Sequence, residues 1–176
     1  EPGAPFIEIR LINTHIRYSK GADAEQDSIG AIAMRKNEFD VLTKAIYAKE
    51  ADKRYGNNRP AYTILLGDYN LNLISSKAGS PYLVEQFEID DGRVKKNIVT
   101  IQNELTTLRK KEQIENESVY ISNYDHFTFD SIRMKGVGIC CNRVDTVKKY
   151  SNGDREKHLK EISDHVPIKL SLNIWG

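Results

Sequence analysis

Residues 63–72 read Thr-Ile-Leu-Leu-Gly-Asp-Tyr-Asn-Leu-Asn, and this stretch decides how the rest of the chain is interpreted. The apolar run before Gly67 predicts a strand buried on both faces, and the glycine allows a sharp turn at its end. Positions i and i+2 of an extended chain point the same way, so Asp68 and Asn70 can address one atom or ion together. By itself, the pattern fits a polar turn that closes a core strand equally well.

The composition is that of one globular domain. The chain has 176 residues, of which 39% are hydrophobic, and this is enough for a sizeable core. The 26 basic residues are spread along the chain and the net charge is +1, so composition alone does not indicate a nucleic-acid binder. No apolar run could span a bilayer, and no signal segment is recognised at the start. Cys140 and Cys141 are adjacent, so no disulfide framework is predicted, which weakly favours a reducing, cytoplasmic compartment.

Hydrophobic periodicity predicts a strand–helix–strand unit around the opening stretch. Alternation over residues 6–18 predicts a strand that ends near His15, and an amphipathic helix follows from Ser28 to about Gly56. Ligands of such units collect at the carboxyl ends of the strands, so His15 and Asp68 are expected at one edge of a sheet. The apolar stripe of the helix is predicted at Ile32, Phe39, Leu42 and Ile46.

The remaining elements are predicted from shorter patterns. A hairpin is expected with strands at 84–89 and 94–101, because Asp-Asp-Gly-Arg separates them. Residues 103–116 are highly charged and read as a short exposed helix or a loop, without functional weight. Further strands are predicted at 119–122, 137–147 and 166–174, and loops at 19–27, 56–60, 75–81 and 148–160.

Three more polar clusters accompany strand-like segments, at Thr14-His15, Arg143-Val144-Asp145 and Ser163-Asp164-His165. Carboxylate and amide oxygens suit a hard cation such as Mg²⁺, and a histidine held by an aspartate can act as a general acid or base. For Asp145 alone, a charge that faces water from an edge strand is an alternative. Neither paired Cys/His ligand spacing nor a Gly-x-Ser-x-Gly elbow occurs, which disfavours a structural zinc site and a serine hydrolase.

Together, four motifs resemble the successive motifs of the endonuclease/exonuclease/phosphatase superfamily, which includes DNase I and the exonuclease III type of abasic-site nuclease. They occur in the family's order: Asn13-Thr14-His15, Gly67-Asp68-Tyr69-Asn70, Arg143-Val144-Asp145 and Ser163-Asp164-His165-Val166-Pro167. The resemblance implies an α+β fold, a four-layer α/β/β/α sandwich of two stacked sheets with helices outside. It also implies metal-dependent hydrolysis of phosphodiester or phosphomonoester bonds.

Carried over residue by residue, the resemblance implies roles for six side chains. His15 contacts or protonates the scissile phosphate region, and Asp68 orients or deprotonates the attacking water. Asn70 holds a phosphate oxygen or supports that carboxylate. The other roles fall to Asp145, which pairs with His165 and favours its protonated form, and to Asp164, which joins Asp68 in binding the metal, Mg²⁺ or else Mn²⁺ or Ca²⁺.

Three other residues receive weaker interpretations. Asp125 is a rival to Asp145 as the partner of the catalytic histidine, but Tyr124-Asp125-His126 matches no family motif that we can place. His126 is therefore predicted to be structural. His158, in the polar stretch 148–160, is predicted to be exposed.

The chain departs from the family pattern ahead of His15. Family members carry an asparagine after the first strand and a metal-binding glutamate in their N-terminal half, and nothing ahead of His15 supplies either. Glu1 and Glu8 are poor candidates, because Glu8 lies in the same strand as His15, a few residues upstream. Residues 1–176 therefore resemble the C-terminal portion of one such domain. We expect tight metal binding, and with it activity, to need a separate N-terminal segment of that domain. The part that selects the substrate is expected at 75–116.

The leading hypothesis is a metal-dependent phosphoesterase that hydrolyses nucleic acid, because nucleases are common in this superfamily. A phosphatase of inositol phosphates or phospholipids is the alternative within the enzyme class. A catalytically silent phosphate-binding or interaction module is the alternative outside it. The joint presence of Asp68, Asn70, Asp164 and His165 argues against that module, since it has no chemical need for the whole set.

Overall fold

The computed structural model describes residues 7–17, 26–53, 61–71, 87–90, 95–102, 104–110 and 118–174. The fold is mixed α+β. The strands are β1 (Glu8–His15), β2 (Ala61–Asp68), β3 (Phe87–Asp90), β4 (Lys95–Ile101), β5 (Thr107–Leu108), β6 (Tyr120–Ser122), β7 (Asp125–Asp130), β8 (Gly138–Arg143) and β9 (Ile168–Asn173). The α-helices are α1 (Gln26–Val41), α2 (Ala48–Asp52), α3 (Thr146–Ser151) and α4 (Arg155–Glu161), and a π-helical stretch (Leu42–Tyr47) joins α1 to α2.

A five-stranded sheet forms the centre, in the order β1-β2-β7-β4-β3. β1 and β2 are parallel, whereas β7 runs antiparallel to both β2 and β4. In the β1–β2 register His15 lies opposite Asp68, so the two side chains emerge at the same edge of the sheet. The predicted strand–helix–strand unit is thus confirmed, and so is the predicted juxtaposition of these two residues.

The helical segment covers one face of this sheet with a four-residue repeat. Its most deeply buried positions are Phe39, Thr43, Tyr47 and Ala51, each at most 1% exposed. A repeat of four drifts around an α-helix of 3.6 residues per turn, but the i→i+5 bonding of the π-helical stretch widens the turn there and keeps these positions on one side. The predicted stripe is therefore wrong at Ile32 and Ile46, which are 42% and 43% exposed.

The opposite face of the central sheet packs against a second, two-stranded sheet of β8 and β9. Strand alternation explains the arrangement, because neighbouring residues of β2 turn to opposite faces: Leu65 packs with the helical segment and Ile64 with the second sheet. The described residues thus stack as helix, sheet and sheet. The cluster between the sheets includes Val99, Phe127, Phe129, Ile139, Ile168 and Leu170.

Several predicted elements are confirmed and two are wrong. Residues 103–116, predicted as a short exposed helix or a loop, include strand β5, in which Leu108 is buried. β3 and β4 form the predicted hairpin, and β6, β8 and β9 lie within the predicted strands. Residues 148–160, predicted as a surface loop, instead form most of α3 and α4. Asp145 and Asp154 cap these helices by accepting from the backbone N–H groups of Lys148 and Lys157. The loops predicted at 56–60 and 75–81, and most of that at 19–27, lie outside the described residues.

No helix in the described ranges is long and apolar enough to cross a membrane.

Gly67 provides a test of how the end of β2 is built. Its φ of +141° is one that other residues rarely adopt, and a Cβ here would overlap the carbonyl group of Thr14 on β1. Gly67→Ala is therefore expected to lower the free energy of unfolding by about 3 kcal/mol or more in urea denaturation. Gly30→Ala is the matched control, because a Cβ there meets open space within α1 and should stabilise by about 0.5–1 kcal/mol. Equal stability of the two variants would contradict this account.

Candidate active site

A cleft of about 710 Å³ opens where β1 and β2 end. β1 and β2 contribute His15 and Asp68, and the turn between α4 and β9 contributes Asp164 and His165. The wall opposite comes from β5, β6 and the residues beside them. The lining residues are His15, Asp68, Asn70, Thr107, Leu108, Arg109, Lys110, Ile121, Ser122, Tyr124, Asp164 and His165.

Asp68 lies between two histidines. Its Oδ2 is 3.5 Å from Nε2 of His15 and 3.9 Å from Nε2 of His165. Its Oδ1 accepts the backbone N–H of Asn70 at 2.8 Å, which fixes the carboxylate. One water molecule at the free side of Oδ2 could therefore contact the carboxylate and an imidazole together.

His165 is held by Asp125. The imidazole Nδ1–H donates to Oδ2 of Asp125 at 2.9 Å, and this contact turns Nε2 towards Asp68. The hydroxyl of Thr106 donates to the same Asp125 oxygen at 2.6 Å. Asp125 reaches this place because it begins β7, where it pairs with Asp68 across the central sheet. The aspartate–histidine pair predicted from the sequence is present, with a different aspartate.

Asp145, the predicted partner of His165, has another role, so this prediction is wrong. Its Oδ1 accepts the Tyr120 hydroxyl at 2.7 Å and the backbone N–H of Lys148 at 3.0 Å, which makes it the N-cap of α3. Because β8 ends at Arg143, Asp145 starts a helix outside the cleft instead of ending a strand inside it. These contacts outweigh the cost of its burial and lower the pKa of Asp145.

Asn70 holds the site together through both its backbone and its side chain. Besides the backbone contact to Asp68, its side-chain Nδ2 donates to the carbonyl of Ile16 at 2.7 Å, beyond the end of β1. Asn70 has a φ of 49°, a left-handed conformation that asparagine tolerates better than most residues. Of its two predicted roles, this geometry favours support of the Asp68 carboxylate.

The environment shifts the two central pKa values upward. Burial raises the pKa of Asp68, against the opposing effects of the Asn70 N–H and of His165. The hydrogen bond to Asp125 raises the pKa of His165, against burial. Asp68 therefore becomes a better proton acceptor, and His165 keeps its positive charge to higher pH.

The described lining of the cleft offers a divalent cation two carboxylates, those of Asp68 and Asp164. Among the described residues, no three His, Cys, Asp or Glu side chains converge as metal ligands. The carboxylate of Asp164 is 2.7 Å from the ammonium of Lys110, and this contact lowers the pKa of Asp164. Two carboxylates still suit Mg²⁺, which often binds one or two of them together with water and substrate phosphate. The donor types thus fit Mg²⁺, with its further ligands drawn from elsewhere.

His158 supports the turn that carries His165, and the prediction that it is exposed is wrong. It is 0% exposed. Its Nδ1 donates to the carbonyl of Ser163 at 2.8 Å, so its Nε2 accepts the Thr146 hydroxyl, also at 2.8 Å. Ser163 in turn accepts the backbone N–H of His165 through its hydroxyl. His126, predicted to be structural, is also buried, and its Nε2 contacts the carbonyls of Leu71 and Asn123.

His158→Leu tests this support. It removes both imidazole contacts and leaves the Ser163 carbonyl and the Thr146 hydroxyl without their partner, so we expect a loss of about 2–4 kcal/mol in the free energy of unfolding. Thr146→Val removes the hydroxyl alone and should cost about 1 kcal/mol. Urea denaturation followed by circular dichroism measures both. A His158→Leu variant as stable as the wild type would contradict the assigned contacts.

Thr106 and Lys110, which contact Asp125 and Asp164, were not identified from the sequence, and Asp125 itself was predicted only as the weaker candidate partner of His165. The alternation of Phe127 and Phe129 is the signal that could have identified β7, and with it Asp125 as the start of a strand. Thr106 and Lys110 lie in the charged segment 103–116, where no pattern distinguishes them.

Comparison with known proteins adds no family to this geometry. No family model, no curated protein and no solved structure matches this chain. A function for this chain is therefore inferred from the cleft itself, and the resemblance of the four motifs stays a prediction.

Proposed function

We propose that this chain belongs to a metal-dependent phosphoesterase that hydrolyses phosphodiester bonds of nucleic acid by attack of water on phosphorus. The observation that carries the proposal is the position of His165, which is fixed by Asp125 and directed at Asp68 inside an open cleft. A base with a raised pKa beside a cationic acid is what an in-line displacement at phosphorus needs, since such reactions depend on positioning and charge stabilisation.

Each side chain has one task in the proposed reaction. Asp68 accepts a proton from water as the water oxygen bonds to phosphorus, and the bond from phosphorus to the leaving oxygen breaks. His15 supplies the proton to the leaving-group side. His165, charged and held by Asp125, stabilises the negative charge that builds on the phosphate oxygens, and Asn70 keeps Asp68 in place.

The metal is part of the same proposal. Asp68 and Asp164 would hold Mg²⁺, and Mn²⁺ or Ca²⁺ share its preference for oxygen ligands. Such a cation, when bound, neutralises phosphate charge and polarises the ester. The finer fold assignment is also proposed: a helical layer against β8 and β9 would complete an α/β/β/α sandwich.

The proposal is tested on the full-length protein, because a separate segment is expected to complete the metal site. With Mg²⁺ it should cleave plasmid DNA, RNA or bis-p-nitrophenyl phosphate, and EDTA should abolish the activity. Turnover of small phosphomonoesters alone would instead favour the phosphatase, and phosphate binding without turnover would favour a silent module.

A further inference from the structure

Lys110 follows β5, whose backbone is hydrogen-bonded to the turn that bears Asp164 and His165. The backbone N–H of Leu108 donates to the carbonyl of Asp164 at 2.7 Å, and Thr107 forms an isolated antiparallel bridge with His165. On the other side, the N–H of Arg109 donates to the carbonyl of Val119 at 2.9 Å. The chain that bears Lys110 is therefore held against Asp164 and His165 from both directions.

Lys110 lines the cleft, and its ammonium group has N–H donors besides the one that contacts Asp164. Its Nζ is 2.7 Å from Oδ2 of Asp164, and its side chain is 72% exposed. An ammonium has three N–H donors, and the carboxylate oxygen needs one of them. Because the side chain is mostly exposed, the other donors are available to a ligand in the cleft. Lys110 can thus keep its contact with Asp164 while it donates to a second anionic oxygen.

The charges around the cleft favour the binding of an anionic oxygen beside Lys110. The Asp125 carboxylate is already engaged by His165 and by the Thr106 hydroxyl, and that of Asp164 by Lys110. Each of these two carboxylates thus has a positively charged or hydrogen-bonding side chain beside it, which reduces its repulsion of an incoming anion. A phosphate that enters beside His165 meets an imidazole and an ammonium, with the Asp68 carboxylate placed for the attacking water.

We propose that Lys110 is a phosphate-binding residue of this cleft, and that its ammonium, positioned by Asp164, donates to a non-bridging oxygen of the phosphate that His165 faces. The inference rests on the proposed function and deepens it. It makes Lys110 a determinant of substrate affinity, whereas Asp68 and His165 determine the rate of the chemical step. It also gives Asp164 a positioning role besides metal binding.

The test uses the full-length protein and two probes, inorganic phosphate and bis-p-nitrophenyl phosphate. Lys110→Met should weaken binding of inorganic phosphate about tenfold in a calorimetric titration, and should raise KM for the diester by a similar factor with kcat within about threefold. Lys110→Arg should recover most of the affinity, because the guanidinium keeps the charge and the donors. Lys149→Met, which removes an exposed lysine of α3 outside the cleft, is the matched control and should bind as the wild type does.

The outcomes separate this inference from the proposed function. Wild-type affinity for inorganic phosphate in folded Lys110→Met would overturn the role of Lys110, whether or not the enzyme turns over. An equal loss in Lys149→Met would overturn it too, since only overall charge would then matter. If no ester is hydrolysed but Lys110→Met still loses phosphate binding, the proposed function fails and the phosphate contact stands.

Discussion

Replacing Asp68 with asparagine is expected to lower phosphodiester turnover by about 10³-fold, because the amide cannot accept the proton of the attacking water. The substitution keeps the size of the side chain, and its amide oxygen can still accept the Asn70 N–H. The initial rate of bis-p-nitrophenyl phosphate hydrolysis by the full-length protein measures the effect. Turnover within tenfold of the wild type would remove Asp68 from the role of base.

The same variant should not be less stable than the wild type at pH 7.5. Burial raises the pKa of Asp68 above its ordinary value. A carboxyl group with a raised pKa in the folded state gains stability as pH falls through that pKa, so its charged form is a cost at neutral pH. Asp68→Asn removes this cost, and its melting temperature should equal or exceed that of the wild type. A lower melting temperature would mean that unfolding contributes to the lost turnover.

Asp125→Asn is expected to lower turnover by about 10²–10³-fold, while Asp145→Asn should leave it within about twofold. The amide oxygen introduced by Asp125→Asn could still accept the Nδ1–H of His165, but without the charge that stabilises the imidazolium. At position 145 asparagine is as good an N-cap as aspartate, so α3 should remain intact. The pair of variants separates the two candidate partners of His165 on one scaffold. Equal losses of turnover, or a greater loss in Asp145→Asn, would contradict the assignment.

The protonation of His165 gives an independent readout of the same pair. The hydrogen bond to Asp125 raises the pKa of His165, so an NMR titration should find a lower pKa in Asp125→Asn than in the wild type. The stability that the charged pair supplies is fully present below the ordinary histidine pKa of about 6.5 and is lost as pH rises through the raised value. The two proteins should therefore differ most in stability on the acidic side of that window. An unchanged His165 pKa would contradict the contact.

The parts of the fold that the sequence predicted are those in which local pattern and chain order suffice. Periodicity alone predicts the two strands that end at His15 and at Gly67. Parallel pairing of these strands then places His15 beside Asp68. The hairpin of β3 and β4 follows from its turn residues in the same way. These features depend on neighbours in sequence, which periodicity reports well.

The partner of His165 depends instead on strand order, which periodicity does not report. Asp125 faces His165 because β7 inserts between β2 and β4, and nothing within Tyr-Asp-His reveals that position. The sequence does not distinguish Asp145 from a site residue, because aspartate is common both at the end of a strand and at a helix N-cap. Likewise His158 lies in a polar segment but is buried, because its imidazole satisfies polar groups of the turn that no local pattern links to it.

The most direct test of the account is the hydrolysis of bis-p-nitrophenyl phosphate in Mg²⁺ by the full-length wild type and by an Asp68→Ala/His165→Ala double variant of proven fold. We expect release of p-nitrophenol by the wild type and a rate at the buffer level for the variant. Equal release by the two proteins would contradict the account, because hydrolysis would then not depend on this cleft.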